Sequence, residues 1–205
     1  MGVLRVWWRA WQQVQQRGYV YIWASLCAFG LSLLVVTAPA AWAGLVRMSH
    51  AGFTNPNADI RDFWDGFREH LLRGVILALL NALIFFINYV NLLSYANQTD
   101  FIYIPIRIIW IAVVVVWLMI QFYAFPIYYE MESPAYRGAF RNAAIMLLLN
   151  PGFTLVIAIM TGLLAALSTA LVALWALLTP GLLSTVASAA VLDRLGKLRA
   201  QTDDS

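Results

Sequence analysis

The side chains able to hold a metal or move a proton are gathered in one stretch. His50 and His70 flank Asp59, Asp62, Asp65 and Glu69. Asp62, Asp65 and Glu69 recur at helical spacing, so they can share a face. With His70 adjacent, they form the grouping that could ligate a divalent cation. Arg61, Arg68 and Arg73 are interleaved with these carboxylates. Arg61 precedes Asp65, and Glu69 precedes Arg73, by the one-turn offset at which opposite charges pair along a helix. The expected state is therefore a solvated, ion-paired face rather than a metal site. There is no GxSxG, no HExxH and no Gly-rich phosphate loop ahead of a helix,. No catalytic residues, cofactor or metal are expected, and no nucleic-acid partner.

A second polar set lies in an otherwise apolar stretch. Asn81, Asn88 and Tyr95 recur every seven residues, with Asn91 on roughly the same side. Amides facing lipid are costly, so this stripe must face other helices or a wet cavity. Interhelical hydrogen bonding is the first expectation. A path for a small solute, joined by Gln121 and Tyr128, is the alternative. Proton-driven transport more often shows a carboxylate at mid-membrane, and the apolar stretches carry none; Arg107 sits near an end, where it can reach the interface. A third set is small: Gly162, Ala166 and Ala170, like Ser184 and Ser188, stand four residues apart. That spacing permits close helix approach, within the bundle or against another protein.

Of the 205 residues, 62% are hydrophobic and 11% charged, against ~25% charged in soluble domains. The charge is also clustered. Residues 18–46, 74–99, 108–129 and 142–192 carry none, and a membrane helix needs about 20. This describes an all-α integral membrane bundle and excludes disordered, disulfide-rich secreted and soluble nucleic-acid-binding classes. Cys27 is the lone cysteine, so no intrachain disulfide can form.

The pattern predicts an amphipathic interfacial helix over 1–18, with Leu4, Trp7, Trp8, Trp11 and Val14 on one face. A bundle over 19–192 and a polar tail over 193–205 follow. Within the bundle, spans are expected near 19–46, 74–96, 104–128, 143–165 and 170–192. Pro39, Asn150-Pro151-Gly152 and Thr179-Pro180-Gly181 should be kinks or breaks. Four spans with one interfacial segment are the alternative to five. A helix over 58–73 carries Ile60, Phe63, Trp64, Phe67 and Leu71 as its apolar stripe. A targeting peptide is the rival reading of the N-terminus, with Ala41-Trp42-Ala43 before Gly44 resembling a cleavage site. The Lys and Arg distribution puts the first loop and the tail in the cytoplasm. A hairpin reversal at Pro39 would bring the N-terminus to the same side, leaving only Arg107 opposite; without it the N-terminus lies outside.

Two ordered sets of residues resemble a known family. The first is Ala38-Pro39-Ala40-Ala41-Trp42-Ala43-Gly44-Leu45, Arg47, then Asp62-Phe63-Trp64-Asp65-Gly66-Phe67-Arg68. The second is Phe122-Tyr123-Ala124-Phe125-Pro126-Ile127, Phe140-Arg141-Asn142-Ala143-Ala144 and Asn150-Pro151-Gly152-Phe153-Thr154-Leu155. Together they resemble the YesL-like family of small bacterial membrane proteins, and the likeness runs over nearly the whole chain in the same order. The N-terminal tryptophans and a longer first loop depart from it. The resemblance implies about five spans in the bacterial inner membrane and a role near carbohydrate uptake, with no catalytic residues to carry over.

The expected function is thus a non-enzymatic accessory membrane protein associated with a sugar importer. The bilayer and a membrane-protein partner are its expected contacts. Phe63, Trp64 and Phe67 are the candidate partner-contact residues, and Gly162, Ala166 and Ala170 the candidate packing face. A structural subunit of a larger complex and a small-solute transporter using Asn81, Asn88, Asn91 and Tyr95 are the alternatives.

Overall fold

A computed structural model describes residues 2–55, 57–98, 100–169 and 176–203. Among the described residues the secondary structure is helical, with no strand. The helices are α1 (Gly2–Gln16), α2 (Gly18–Ser32), α3 (Ala38–Thr54), α4 (Ile60–Ser94), α5 (Tyr103–Glu130), α6 (Tyr136–Leu149), α7 (Pro151–Thr169) and α8 (Thr179–Asp203). A 3-10 turn at Val35–Thr37 joins α2 to α3.

Prolines decide several of these boundaries. The stretch expected as one span over 19–46 is two helices, because the chain reverses at Val35–Thr37 and Pro39 falls in the first turn of α3. Proline lacks an N–H and has a helical φ, so it starts a helix more readily than it continues one. The Thr37 hydroxyl holds the reversal by donating to the carbonyls of Leu31 and Leu34. The stretch expected as a kinked span over 143–165 is likewise broken. Asn150 leaves the helical region at φ −131° and ψ 56°, and Pro151 opens α7. Thr179-Pro180 opens α8 in the same way. Residues 170–175, where the expected fifth span begins, lie outside the described residues.

The amphipathic helix expected from about 58 runs into the second span as one continuous helix. α4 runs for 35 residues, about 52 Å at 1.5 Å per residue. Its start is a capping box in which the Asp59 and Asp62 side chains satisfy backbone N–H groups at the helix entry,. No proline interrupts it, and Gly66 and Gly74 are tolerated because they face a neighbour.

That neighbour is α3, the most enclosed helix, with Ala40, Ala41, Ala43, Leu45 and Val46 buried. It lies antiparallel to the first half of α4 at glycine-limited distance. A methyl at Gly44 would fall 2.6 Å from the Phe63 carbonyl, and one at Gly74 would fall 2.9 Å from Ala40. Both lie well inside van der Waals contact, so the seam exists only because these positions are glycine. Ala41, Ala43 and Gly44, the residues that resemble a cleavage site, are buried in this helix.

α1 packs along α8 and buries Val6, Ala10 and Val14, while Leu4, Trp8 and Trp11 remain exposed. The chain segments gather at one end. Gly2 lies beside Arg194 and Lys197, the Arg17 guanidinium donates to the Asn55 and Ala58 carbonyls, and Arg199 pairs with Glu130. α4, α5 and α7 are each long and apolar enough to cross a membrane. Their outer faces expose Leu79, Leu83, Phe86, Ile108, Ile159 and Leu163, the apolar surface that lipid covers.

Candidate functional site

His70 sits one helical turn before Gly74, on the face of α4 that packs inward, and is fully buried. Its Nδ1 bonds the Tyr136 hydroxyl and its Nε2 lies 2.7 Å from the Tyr129 hydroxyl. Tyr129 in turn donates to the Ala43 carbonyl at 3.4 Å. A neutral imidazole has one donor and one acceptor. The chain of bonds is consistent with Tyr136 donating to Nδ1 and Nε2–H donating to Tyr129. The run ends on a backbone carbonyl, so it holds a proton in place rather than passing it on. Phe125 and Tyr128 close the ring in, edge-on at 5.7 and 5.0 Å. One imidazole thereby ties α3, α4, α5 and α6 together.

Glu69 stands beside this node. Its carboxylate takes Arg47 of α3 at 2.6 Å and the Tyr128 hydroxyl at 3.3 Å. The partner expected along the helix, Arg73, instead lies over the Tyr136 ring, 4.8 Å from its centre. His50 belongs to a different network. Its Nε2 is 2.8 Å from Glu130, whose other oxygen is 3.0 Å from Arg199. This joins α3, α5 and α8. Asp59 and Asp62 cap α4. The residues weighed as a metal grouping are therefore sent to separate tasks, and no group of three His, Cys, Asp or Glu converges among the described residues.

The asparagine stripe divides. Asn81 donates to Gln121 at 3.0 Å and accepts from the Trp117 indole at 2.8 Å. Asn88 is buried and donates to the Trp110 carbonyl at 2.8 Å. Both bind α4 to α5. Asn91 turns back to the Ile87 carbonyl of its own helix, and Tyr95 stacks on Tyr103. Arg107 closes that end by donating to the carbonyls of Tyr95 and Gln98.

The expected partner-contact residues point the other way. Phe63 is fully buried under α3, Phe67 is buried, and Trp64 is half-buried with its ring edge against both. An apolar stripe on a helix seeks the nearest cover, and α3 supplies it. The side of this helix left at the surface carries Arg61, Asp65, Arg68 and Glu69.

The small-residue face also divides. Ser184 bonds Ser49 at 2.7 Å and is buried with Ser188. Gly162 and Ala166 are exposed, and a methyl at Gly162 would meet open space. Ala170 lies outside the described residues. Gly162 borders a cleft of about 530 Å³ between α3, α4, α5, α7 and α8, whose lining includes Trp42, Asn81, Gln121, Phe122 and Thr161. Gln121 is 9% exposed, and its amide nitrogen has no partner. A buried, unmatched donor is costly in a protein interior.

No family model, curated protein or solved structure matches the chain. The site stands on its own geometry. Tyr129, Tyr136 and Glu130, which complete the two histidine networks, are not marked in the sequence by any spacing relative to their histidines. Tyr128-Tyr129-Glu130 closing an apolar span is the nearest signal.

Proposed function

We propose that this chain is a non-enzymatic accessory membrane protein that receives a transmembrane helix of a partner against α7, over the cleft bordered by Gly162 and Gln121. The observation that carries this reading is the uncovered small-residue face of α7, where Gly162 and Ala166 are exposed and a methyl at Gly162 meets open space. A partner helix brings the apolar surface that such a face accepts at close approach. The resemblance to the YesL-like family supports the same reading and directs the search towards carbohydrate-uptake systems.

We read the topology as four crossings, by α4, α5, α7 and the start of α8, with α2 and α3 as a re-entrant hairpin. This replaces the count of five with an even number. It is supported by the contacts that join α1, the first loop and the tail. It leaves Arg107 as the lone cation at the opposite end, in keeping with a bacterial inner membrane and a cytoplasmic first loop and C-terminus,.

A mild-detergent affinity pull-down from native membranes, followed by mass spectrometry, tests the reading. Stoichiometric recovery of a membrane complex from wild type, lost with Gly162→Leu, is the expected result. Recovery of this chain alone from wild type removes the accessory reading and brings solute flux through proteoliposomes forward as the next assay.

A further inference from the structure

Several cations of this protein are matched by a carboxylate. Arg47, Arg199 and Lys197 each pair with a carboxylate, of Glu69, Glu130 and Asp193 respectively. Arg73 and Arg137 are different: they stand at the head of a groove of about 640 Å³ whose lining contains no carboxylate. Arg73 is exposed, with its guanidinium carbon 4.8 Å from the centre of the Tyr136 ring. A guanidinium over an aromatic face is attracted by the ring and keeps N–H groups free to fork onto an oxyanion. Arg137 follows Tyr136 in the first turn of α6, where no side chain caps the helix. The backbone N–H groups of that turn add partial positive charge at the same spot.

Below the arginines the groove becomes apolar. Its walls are Ile76 and Leu80 of α4, Trp117 of α5 and Phe140 of α6. Ile76 is 61% and Leu80 42% exposed, so the groove opens sideways from the protein. Arg73 marks the last charge before the uncharged stretch 74–99, which places it at headgroup level. From Arg73 to Leu80 is about 10 Å along the helix, the distance over which a lipid passes from phosphate to acyl chain.

We propose that this groove is a binding site for one anionic phospholipid, its phosphate on Arg73 and Arg137 and an acyl chain along Ile76, Leu80 and Trp117. Charge complementarity selects the headgroup, since two guanidiniums and a helix N-terminus meet no carboxylate in the lining. The lateral opening at Ile76 and Leu80 selects a bilayer lipid over a free phosphate.

The test is native mass spectrometry of the detergent-purified full chain, titrated with phosphatidylglycerol or with phosphatidylcholine of the same acyl chains. Wild type should retain one phosphatidylglycerol at activation energies that strip phosphatidylcholine. Arg73→Gln and Arg137→Gln should each lower that retention about fivefold, the scale of one arginine at an anionic surface. Arg61→Gln, on the same helix but outside the groove, should leave it unchanged. Glycerol phosphate in solution should not displace the lipid. If Arg73→Gln fails to fold, Arg137→Gln, at an exposed position of α6, carries the test alone. Equal retention of the two lipids, or an equal loss in Arg61→Gln, overturns the site by showing no headgroup selection or only diffuse charge. Displacement by glycerol phosphate overturns the lipid as occupant.

Discussion

Two small-residue faces with the same spacing meet opposite fates in this protein. Ala40 and Gly44, four residues apart on α3, lie against Gly66 and Gly74 of α4 with no space for a methyl. Gly162 and Ala166, four residues apart on α7, face outward, and a methyl at Gly162 meets nothing. Spacing alone says that a backbone can be approached closely. Whether the chain itself makes the approach depends on what else the helix carries. α3 sits between a reversal at Val35–Thr37 and a short loop, so α4 is forced back along it. α7 starts at a break and is held at its ends, by Arg194 stacked 3.5 Å over Phe153 and by Thr179 bonded to Ser168 at 2.7 Å. Ile157 and Thr161 in its middle are buried, and the outward face with Gly162 and Ala166 is left uncovered.

The contrast breaks most sharply at Gly44. Gly44→Leu should cost about 3 kcal/mol or more, since overpacking here meets backbone rather than a yielding side chain. Loss of the monodisperse peak in detergent, or a large fall in the unfolding midpoint, is the expected readout; near wild-type stability would mean that the seam is loose. His70→Phe keeps the shape of the same interior but takes the acceptor from the Tyr136 hydroxyl and leaves Tyr129 only its bond to the Ala43 carbonyl. A loss of about 2 kcal/mol is expected from groups left unpaired, measured by denaturant titration, and no loss would mean that water replaces the imidazole. The smallest effect belongs to the open face. Gly162→Leu should change stability by less than about 0.5 kcal/mol, as surface substitutions do, and the same titration checks it. A loss as large as that of Gly44→Leu would erase the distinction between the two faces.

Much of this was legible in the residues. The long helices α4, α5 and α7 draw on the apolar stretches, and Pro39, Pro151 and Pro180 stand at helix starts. The expectation that Asn81 and Asn88 bond a neighbouring helix agrees with their contacts on α5. The less legible part is direction. Phe63, Trp64 and Phe67 read as a face for a partner because a sequence shows that a stripe needs cover without showing that α3, separated by only a short loop, covers it. His70 read as part of a charged face because its neighbours Glu69 and Arg68 are charged. A helix turns about 100° per residue, so adjacent side chains point to different surroundings. Asn91 belonged to the stripe by spacing, yet it bonds its own helix because hydrogen bonds to the preceding turn are available to any short polar side chain.

The continuity of α4 has a consequence for how this protein can vary. One unbroken helix carries Phe63, Gly66 and Gly74 against α3 in its first half and Asn81 and Asn88 against α5 in its second. No loop between the halves can absorb a change in length. Inserting one residue after Gly74 would rotate everything beyond it by about 100°, turning both asparagines from α5 towards lipid while leaving the first half seated. Substitutions along this helix are read one position at a time; insertions and deletions are read by every residue that follows.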